Sequence, residues 1–262
     1  LDTAGINVWC AAGKGTFGTE ELVKRIISAG LDKVVSHRRV IVPQLGAPGI
    51  RAAAVKKWTG FSVSFGPVKA CDIGQYVKNG YHADARMRLV RFGMIERLVL
   101  TPIELNPVVK KLPRYLLIIG VLFGLMPQGV IFSEAVKDGL PAALGLVLAV
   151  LAGAFLTPVL LPFIPFRSFA IKGWIAGFAV ITAAGWFSGT LAGSSIWLAA
   201  SAMVFFPVVS SFLALQFTGA TTFTSISGVE REVKQSLPGY RAAFVFAAAL
   251  FVVYKLQIWG II

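Results

Sequence analysis

The hydrophobic pattern divides the chain in two. Up to about residue 114, apolar and polar positions alternate on short scales; from Tyr115 onward long apolar runs take over. In the first part Thr19 reads as a helix N-cap. Glu20 and Glu21 follow in the first turn, Leu22, Ile26 and Ile27 make an apolar stripe, and Gly30 is the stop. Val40, Ile41 and Val42 predict a short strand over 39–43, followed by a loop at 44–49 and a short helix over 51–58. A strand over 61–65 and a helix over 69–78, ended near Gly80, come next, and 86–92 and 98–101 predict two further strands. Strands alternating with helices predict an α/β, Rossmann-like layer with parallel pairing. Leu1-Asp2-Thr3 reads as the end of a strand already under way, so an amino-terminal part of this domain is expected to precede the chain.

From Tyr115 five apolar stretches follow, at about 115–133, 140–163, 171–188, 195–216 and 240–260. Each is near the ~20 residues that cross a bilayer core as a helix, which predicts an all-α membrane domain of five spans. Pro127, Pro158 and Pro207 fall inside the stretches, where neighbouring helices can satisfy the freed backbone groups. Gly173 and Gly177, four apart, allow close helix contact. The predicted domains are therefore 1–109 and 110–262.

Charge sets the expected orientation. Arg167 and Lys172 lie between the second and third stretches, and Arg231, Lys234 and Arg241 between the fourth and fifth. The alternate loops carry only Lys137, and Lys255 near the far end of the last stretch can snorkel. The positive-inside rule then puts the amino-terminal domain in the cytoplasm, on a cytoplasmic (inner) membrane, and the carboxyl terminus outside. Lys110, Lys111 and Arg114 read as a basic collar at the membrane entry. No Asp, Glu or His lies at the centre of a predicted span, which argues against an ion-coupled transporter.

Composition agrees with a membrane protein: 56% of the 262 residues are hydrophobic and only 14% charged, with a mean hydropathy of +0.75. Residues 1–114 hold 18 Lys/Arg against 8 Asp/Glu, and 115–262 hold 7 against 4. No basic run has interleaved aromatics, so the positive balance points to a surface facing anionic membrane lipid and not to nucleic acid. Two cysteines, Cys10 and Cys71, exclude a disulfide scaffold and any CxxC metal pattern.

The chemistry concentrates before the first helix, in Asn7-Val8-Trp9-Cys10-Ala11-Ala12-Gly13-Lys14. A phosphate loop needs GxxxxGK[ST], and here Val8 stands where the first glycine belongs and Gly15 follows the lysine. Gly13-Lys14-Gly15-Thr16-Phe17-Gly18 fits GxGxxG, a weak dinucleotide signal when alone. Cys10 is either a small buried hydrophobe or, beside Lys14 at a helix start, a thiolate suited to a soft metal. His37, His82 and Cys71 read as structural groups, and Thr221–Thr224 as a loop or a polar contact strip.

All eight positions of 7–14 match the signature of the mercury-methylating corrinoid proteins, which the chain resembles. The similarity continues through Gly15-Thr16-Phe17-Gly18, Val35-Ser36-His37-Arg38, Pro43-Gln44-Leu45-Gly46-Ala47, Gly66-Pro67-Val68 and Leu100-Thr101-Pro102-Ile103-Glu104-Leu105, over most of 1–105. It departs from the family at 52–54, where only alanine stands. The first part is also similar to the corrinoid domain of the soluble corrinoid iron–sulfur proteins of acetyl-CoA synthesis. The resemblance implies an enzyme, a corrinoid-dependent methyltransferase. It would pass methyl from methyl-cobalt to inorganic mercury(II), forming methylmercury. The implied cofactor is a cobalamin-type corrinoid. Cys10 is implied as the catalytic residue and lower axial ligand of cobalt, with Asn7, Val8, Trp9, Ala11, Ala12, Gly13 and Lys14 lining the cofactor. Implied partners are a ferredoxin-like iron–sulfur protein as electron donor and a methyl-folate-linked methyltransferase as methyl source. Two other readings remain at this point: a one-carbon carrier with another acceptor, and a membrane transporter with a cytosolic regulatory domain.

Overall fold

In the computed structural model the chain forms two compact units, Leu1–Phe92 and Gly93–Ile262. The structure describes all residues except 4–7, 91 and 221–225, and leaves aside the side chains of 10, 13, 14, 103, 104, 191, 192, 219, 220, 226 and 227.

The first unit opens with helix α1 (Val8–Lys14), α2 (Thr19–Ser28) and the single turn α3 (Leu31–Val34). Strand β1 (Arg39–Pro43), a 3-10 stretch at Gln44–Gly49, α4 (Ala52–Thr59) and β2 (Ser62–Gly66) follow. α5 (Ile73–Lys78) closes the unit's regular helices. β1 and β2 pair in parallel, Arg39 opposite Ser62 and Pro43 opposite Gly66, with α4 as the crossover. The core beneath them gathers Phe17, Leu22, Ile26, Val42, Val55 and Phe61.

This corrects the predicted Rossmann-like α/β layer. Among the described residues the first unit holds one two-stranded parallel pair, not a sheet. Leu1–Thr3 is irregular, not a strand end. The segment 86–92 contains the 3-10 turn Ala85–Arg88, and 98–101 is helical. The reason for the last difference is a longer period. Thr101, Leu105, Val108, Leu112, Leu116, Ile119 and Phe123 recur every three or four residues and turn inward along one helix, α6 (Met94–Gly124). At its start the Glu96 carboxylate accepts the Gly93 N–H at 2.9 Å, which fixes the first turn. The apolar, β-branched run Leu98-Val99-Leu100-Thr101 looks like a strand only when that stripe is ignored.

The second unit therefore begins at α6, which ends in a tight hairpin, β3 (Leu125–Met126) and β4 (Gly129–Val130). The helix from 132 to 159 is built of α7 (Phe132–Lys137), α8 (Gly139–Leu151), a π-helical turn at Ala152–Leu156 and α9 (Thr157–Val159). α10 (Phe169–Phe187), the turn α11 (Thr190–Gly193), α12 (Ile196–Gln216) and α13 (Ile226–Ile258) complete it. Among the described residues four of these segments are long and apolar enough to cross a membrane: Phe132–Val159, Phe169–Phe187, Ile196–Gln216 and Gly228–Ile258. The predicted count of five is thus corrected to four. The first expected span, 115–133, is interrupted because α6 ends at Gly124 and the chain turns back through Pro127 and Gln128.

The four segments run up and down. Ser211 Oγ donates to Ala170 O at 2.6 Å and Ser210 Oγ to Gly173 O at 2.8 Å, which sets α12 antiparallel to α10. Ser195 Oγ meets Gln257 Oε1 at 3.0 Å and Ser201 Oγ meets Ala247 O at 2.9 Å, which sets α13 antiparallel to α12. α6 lies antiparallel to the 132–159 helix. Its Leu105 and Val108 pack with Val150 and Ala154, and Leu112, Leu116 and Ile119 with Leu146 and Ala149. Lys110, Lys111 and Arg114, predicted as an entry collar, are exposed along the outer side of α6.

Where α10 and α12 cross, side chains are too small to keep the helices apart. A Cβ on Gly173 would meet Ser210 O and Ser211 Cα, each at 2.9 Å, as well as Ala214 Cβ. A Cβ on Gly177 would meet Ser210 Cβ at 2.5 Å. Parts of the outer surface are apolar, as a lipid-facing surface would be: Trp186 and Phe187 at the end of α10 are 80% and 88% exposed, and only 6% of the α13 window is buried. Trp197 and Trp259 lie at the same end, in the position of an interfacial aromatic belt.

Two alanine substitutions should move stability in opposite directions. Gly173→Ala overpacks the α10–α12 crossing and should cost about 1–3 kcal/mol. Gly120→Ala has nothing within 4 Å of the added carbon. It should be neutral or stabilise by about 0.4–1 kcal/mol by restricting the unfolded chain. Thermal unfolding of the purified protein in detergent measures both.

Candidate functional site

The signature segment forms α1, and its inner side is held firmly. Ala11 is 0% exposed and Ala12 is 5% exposed, both in the core, with Val8 half-buried against it. The helix ends in a closed turn. Ala11 O accepts the Phe17 N–H at 3.1 Å and the Thr16 hydroxyl at 3.2 Å, and Gly15 takes a φ of +84°, which an L side chain rarely adopts. Phe17 then turns back into the core beside Gly46.

The 3-10 stretch at Gln44–Gly49 lies directly against α1. A Cβ on Gly49 would meet Phe17 O at 2.6 Å, Ala12 O at 2.9 Å and Ala12 Cα at 3.1 Å. The two alanines and this glycine thus let backbone approach backbone. Thr19, predicted as a cap, is the first residue of α2 with Gly18 in the cap position. Its hydroxyl instead donates to Gly49 O at 3.2 Å and accepts the Arg51 N–H at 2.9 Å, tying α2 to the same stretch.

Of the predicted site residues, Ala11 and Ala12 are buried, and Val8 and Trp9 are half-buried. Cys10, Gly13 and Lys14 belong to α1 by backbone, but their side chains lie outside the described set, and Asn7 lies outside it altogether. An α-helix turns about 100° per residue. Position 10 therefore stands on the side of α1 opposite the Val8 and Ala12 positions that face the core.

The GxGxxG reading loses its context. The residues before Gly13 form α1, where a dinucleotide fingerprint needs a strand. A Cβ on Gly18 would meet Gly15 O at 2.9 Å, so these glycines close the turn between α1 and α2. Elsewhere in the unit, His37 Nδ1 accepts the Arg39 N–H at 3.4 Å and His82 Nδ1 lies 3.1 Å from Gly80 O, both local contacts on the surface. Cys71 is exposed, its thiol 3.9 Å from Asp72 Oδ1. Thr221–Thr224 lie outside the described residues. Among the described residues no group of three or more His, Cys, Asp or Glu could enclose a metal ion. Glu21 on α2 has its carboxyl held below the usual range, first by the hydrogen bond from Arg25 Nε at 2.7 Å and then by that residue's charge. This surface pair supports α2 above the ordinary carboxylate range, and the support fades as pH falls through the lowered value.

The contact between Gly49 and α1 was invisible to sequence reading, which saw 44–49 only as a loop. Its one signal was two glycines flanking Ala47-Pro48 within reach of small residues in the signature. No protein-family model, curated protein or solved structure matches the chain.

Gly49→Ala should push the 3-10 stretch away from α1 and cost about 1–3 kcal/mol. Hydrogen exchange of the 8–14 amides should accelerate in this variant. It should stay unchanged in Gly74→Ala, where nothing lies within 4 Å of the added carbon.

Proposed function

We propose that the chain is a membrane-anchored, corrinoid-dependent methyltransferase whose acceptor is inorganic mercury(II), with methylmercury as product. The observation that carries this reading is the segment 7–14 itself. It matches the signature of the mercury-methylating corrinoid proteins at every position. It lies on a helix whose Val8, Ala11 and Ala12 are committed to the core or packed on it, while position 10 is on the other side.

The donor chemistry fits one axial place on a corrinoid. A lone soft thiolate suits a soft metal centre already held by an equatorial macrocycle, where no cluster of protein ligands is needed. Cys10 would be the residue that holds the cobalt, and Val8, Trp9 and the backbone of α1 would support it. When bound, the corrinoid would supply the cobalt centre that carries the methyl group to be passed to an electrophile. The chain's own part is to keep α1 rigid, which the closed turn at Gly15 and the Gly49 contact do. A ferredoxin-like iron–sulfur protein and a methyl-folate-linked methyltransferase remain the proposed partners.

The second unit would anchor this chemistry in a cytoplasmic membrane. Arg167, Arg231, Lys234 and Arg241 lie toward one end of the bundle, which the positive-inside rule assigns to the cytoplasm. α6 starts at that same end, because Leu105 and Val108 pack near Ala154. The first unit would accordingly be cytoplasmic and the carboxyl terminus external.

Full-length protein supplied with corrinoid, the iron–sulfur partner and labelled mercury(II) should form methylmercury. Cys10→Ala should lower the rate by roughly 100-fold or more, since even outer-shell partners of a metal are worth about 10- to 100-fold. The cobalt absorption spectrum should change as well. An unchanged spectrum and rate in Cys10→Ala would remove the axial-ligand assignment. Methyl transfer to another acceptor with none to mercury would leave the one-carbon carrier reading.

A further inference from the structure

The positively charged end of the bundle carries a cleft that methyl transfer does not use. It has a volume of about 680 Å3 and lies between the turn before α10 and the first turns of α13. Arg167, Arg231 and Gln235 line it with polar side chains, and Ile171 gives it an apolar edge.

The two arginines are the uncommitted charges here. Both are exposed, and neither has a hydrogen bond or ion pair with any described residue. Their acidic neighbours are already engaged. Glu230 takes the Lys234 ammonium at 2.7 Å. Glu232 accepts from Ser168 Oγ at 2.7 Å and from the Ala170 N–H at 2.9 Å, so the amino-terminus of α10 is closed by a carboxylate. Two guanidiniums against the one Glu232 carboxylate leave the cleft with a single positive charge. Guanidinium forks match the paired oxygens of a phosphate.

What lies beneath the cleft identifies the kind of phosphate. Ile171, Trp174 and Phe178 are exposed and spaced so that they share one face of α10, running from the cleft toward the middle of the bundle. The Trp174 and Phe178 rings stack at 5.1 Å and 19°. Free phosphate has no use for such a stripe, but an acyl chain does. The depth also fits, because Arg167 precedes the Ser168 cap while the apolar layer begins with α10.

We propose that this cleft binds the phosphate of a singly charged anionic phospholipid, with Arg167 and Arg231 on its oxygens and one acyl chain along Ile171, Trp174 and Phe178. The site is on the end assigned above to the cytoplasm, where basic pockets between helices meet anionic headgroups. It depends on the membrane reading of the second unit and not on the chemistry at Cys10.

The test uses the full chain purified in detergent and in phosphatidylcholine nanodiscs. Native mass spectrometry with added phosphatidylglycerol should show retention of that lipid over phosphatidylcholine. The preference should fall about five-fold for each arginine removed in Arg167→Gln and Arg231→Gln. Lys137→Gln, at the other end, should leave it unchanged. In wild-type protein, phosphatidylglycerol with brominated chains should quench tryptophan fluorescence more than brominated phosphatidylcholine, and the difference should vanish in Trp174→Phe. Equal retention of the two lipids would overturn the proposal. So would full competition by inorganic phosphate, which would mark a free-anion site, or an equal loss in Lys137→Gln, which would mark general surface charge. Equal quenching by both brominated lipids would overturn it without relying on any arginine variant.

Discussion

Inside an apolar bundle, every backbone carbonyl released where a helix ends or widens must be given a donor, and the second unit is organised around meeting that demand. An unsatisfied polar group in such surroundings costs several kcal/mol by the scale of apolar transfer. At the π-helical turn Ala152–Leu156, Ala152 O accepts the Thr157 N–H and, at 2.7 Å, the Thr157 hydroxyl as well. The end of the 132–159 helix leaves Leu161 O, which takes the Lys172 ammonium. The end of α6 leaves Phe123 O and Leu125 O, which take Lys255 Nζ at 2.6 and 3.2 Å, and Leu125 O also takes Trp259 Nε1 at 3.2 Å. Two lysines that a hydropathy profile marks as anomalies within spans are thus the caps of neighbouring helices.

The same demand explains the serines and glycines of the α10–α12 crossing. Lipid gives helices no hydrophobic reason to associate, so contact relies on close packing and interhelical hydrogen bonds. Gly173 and Gly177 bring α12 near enough for Ser210 and Ser211 to reach the carbonyls of α10. Ser211 also lies 2.8 Å from Tyr240 Oη, which carries the connection on to α13. These buried serines thus tie α10, α12 and α13 to one another. The first unit uses small residues for a related purpose. Ala11, Ala12 and Gly49 let α1 settle on the 3-10 stretch, so the signature helix is fixed by backbone proximity instead of a broad sheet.

Much of this was legible in the sequence where a signal is local. β1 and α4 follow from a β-branched run and a glycine stop, and each of the four membrane-length helices overlaps a stretch predicted from hydropathy. The signature segment was legible as the place to look, but its support was not. The partners of Ala12 and Thr19 come from a stretch some thirty residues downstream, and no periodicity announces a contact between backbones. The Rossmann-like expectation failed because alternation of strand-like and helix-like runs says nothing about whether strands pair. Among the described residues of the first unit only β1 and β2 found partners, while 98–101 was taken up by a helix whose inward stripe outweighs local β propensity.

α6 shows how hydropathy alone misplaces a helix. It runs beside the 132–159 helix from Leu105 to Phe123, the height of the bundle, yet it is not apolar enough to count as a span. Its outer side exposes Lys110, Lys111 and Arg114 between the levels at which Val108 and Leu116 pack inward. Three cations facing acyl chains at that depth would be costly, about 2.5–3.5 kcal/mol each at a helix centre even on the lenient insertion scale. The packed side and the charged side of this helix therefore demand different surroundings. The first is met by α8 and α12. The second is suited to water, protein or headgroups and not to acyl chains. The acyl-chain stripe of α10 and the cationic face of α6 are two kinds of surface on one membrane unit, and only the first is suited to lipid.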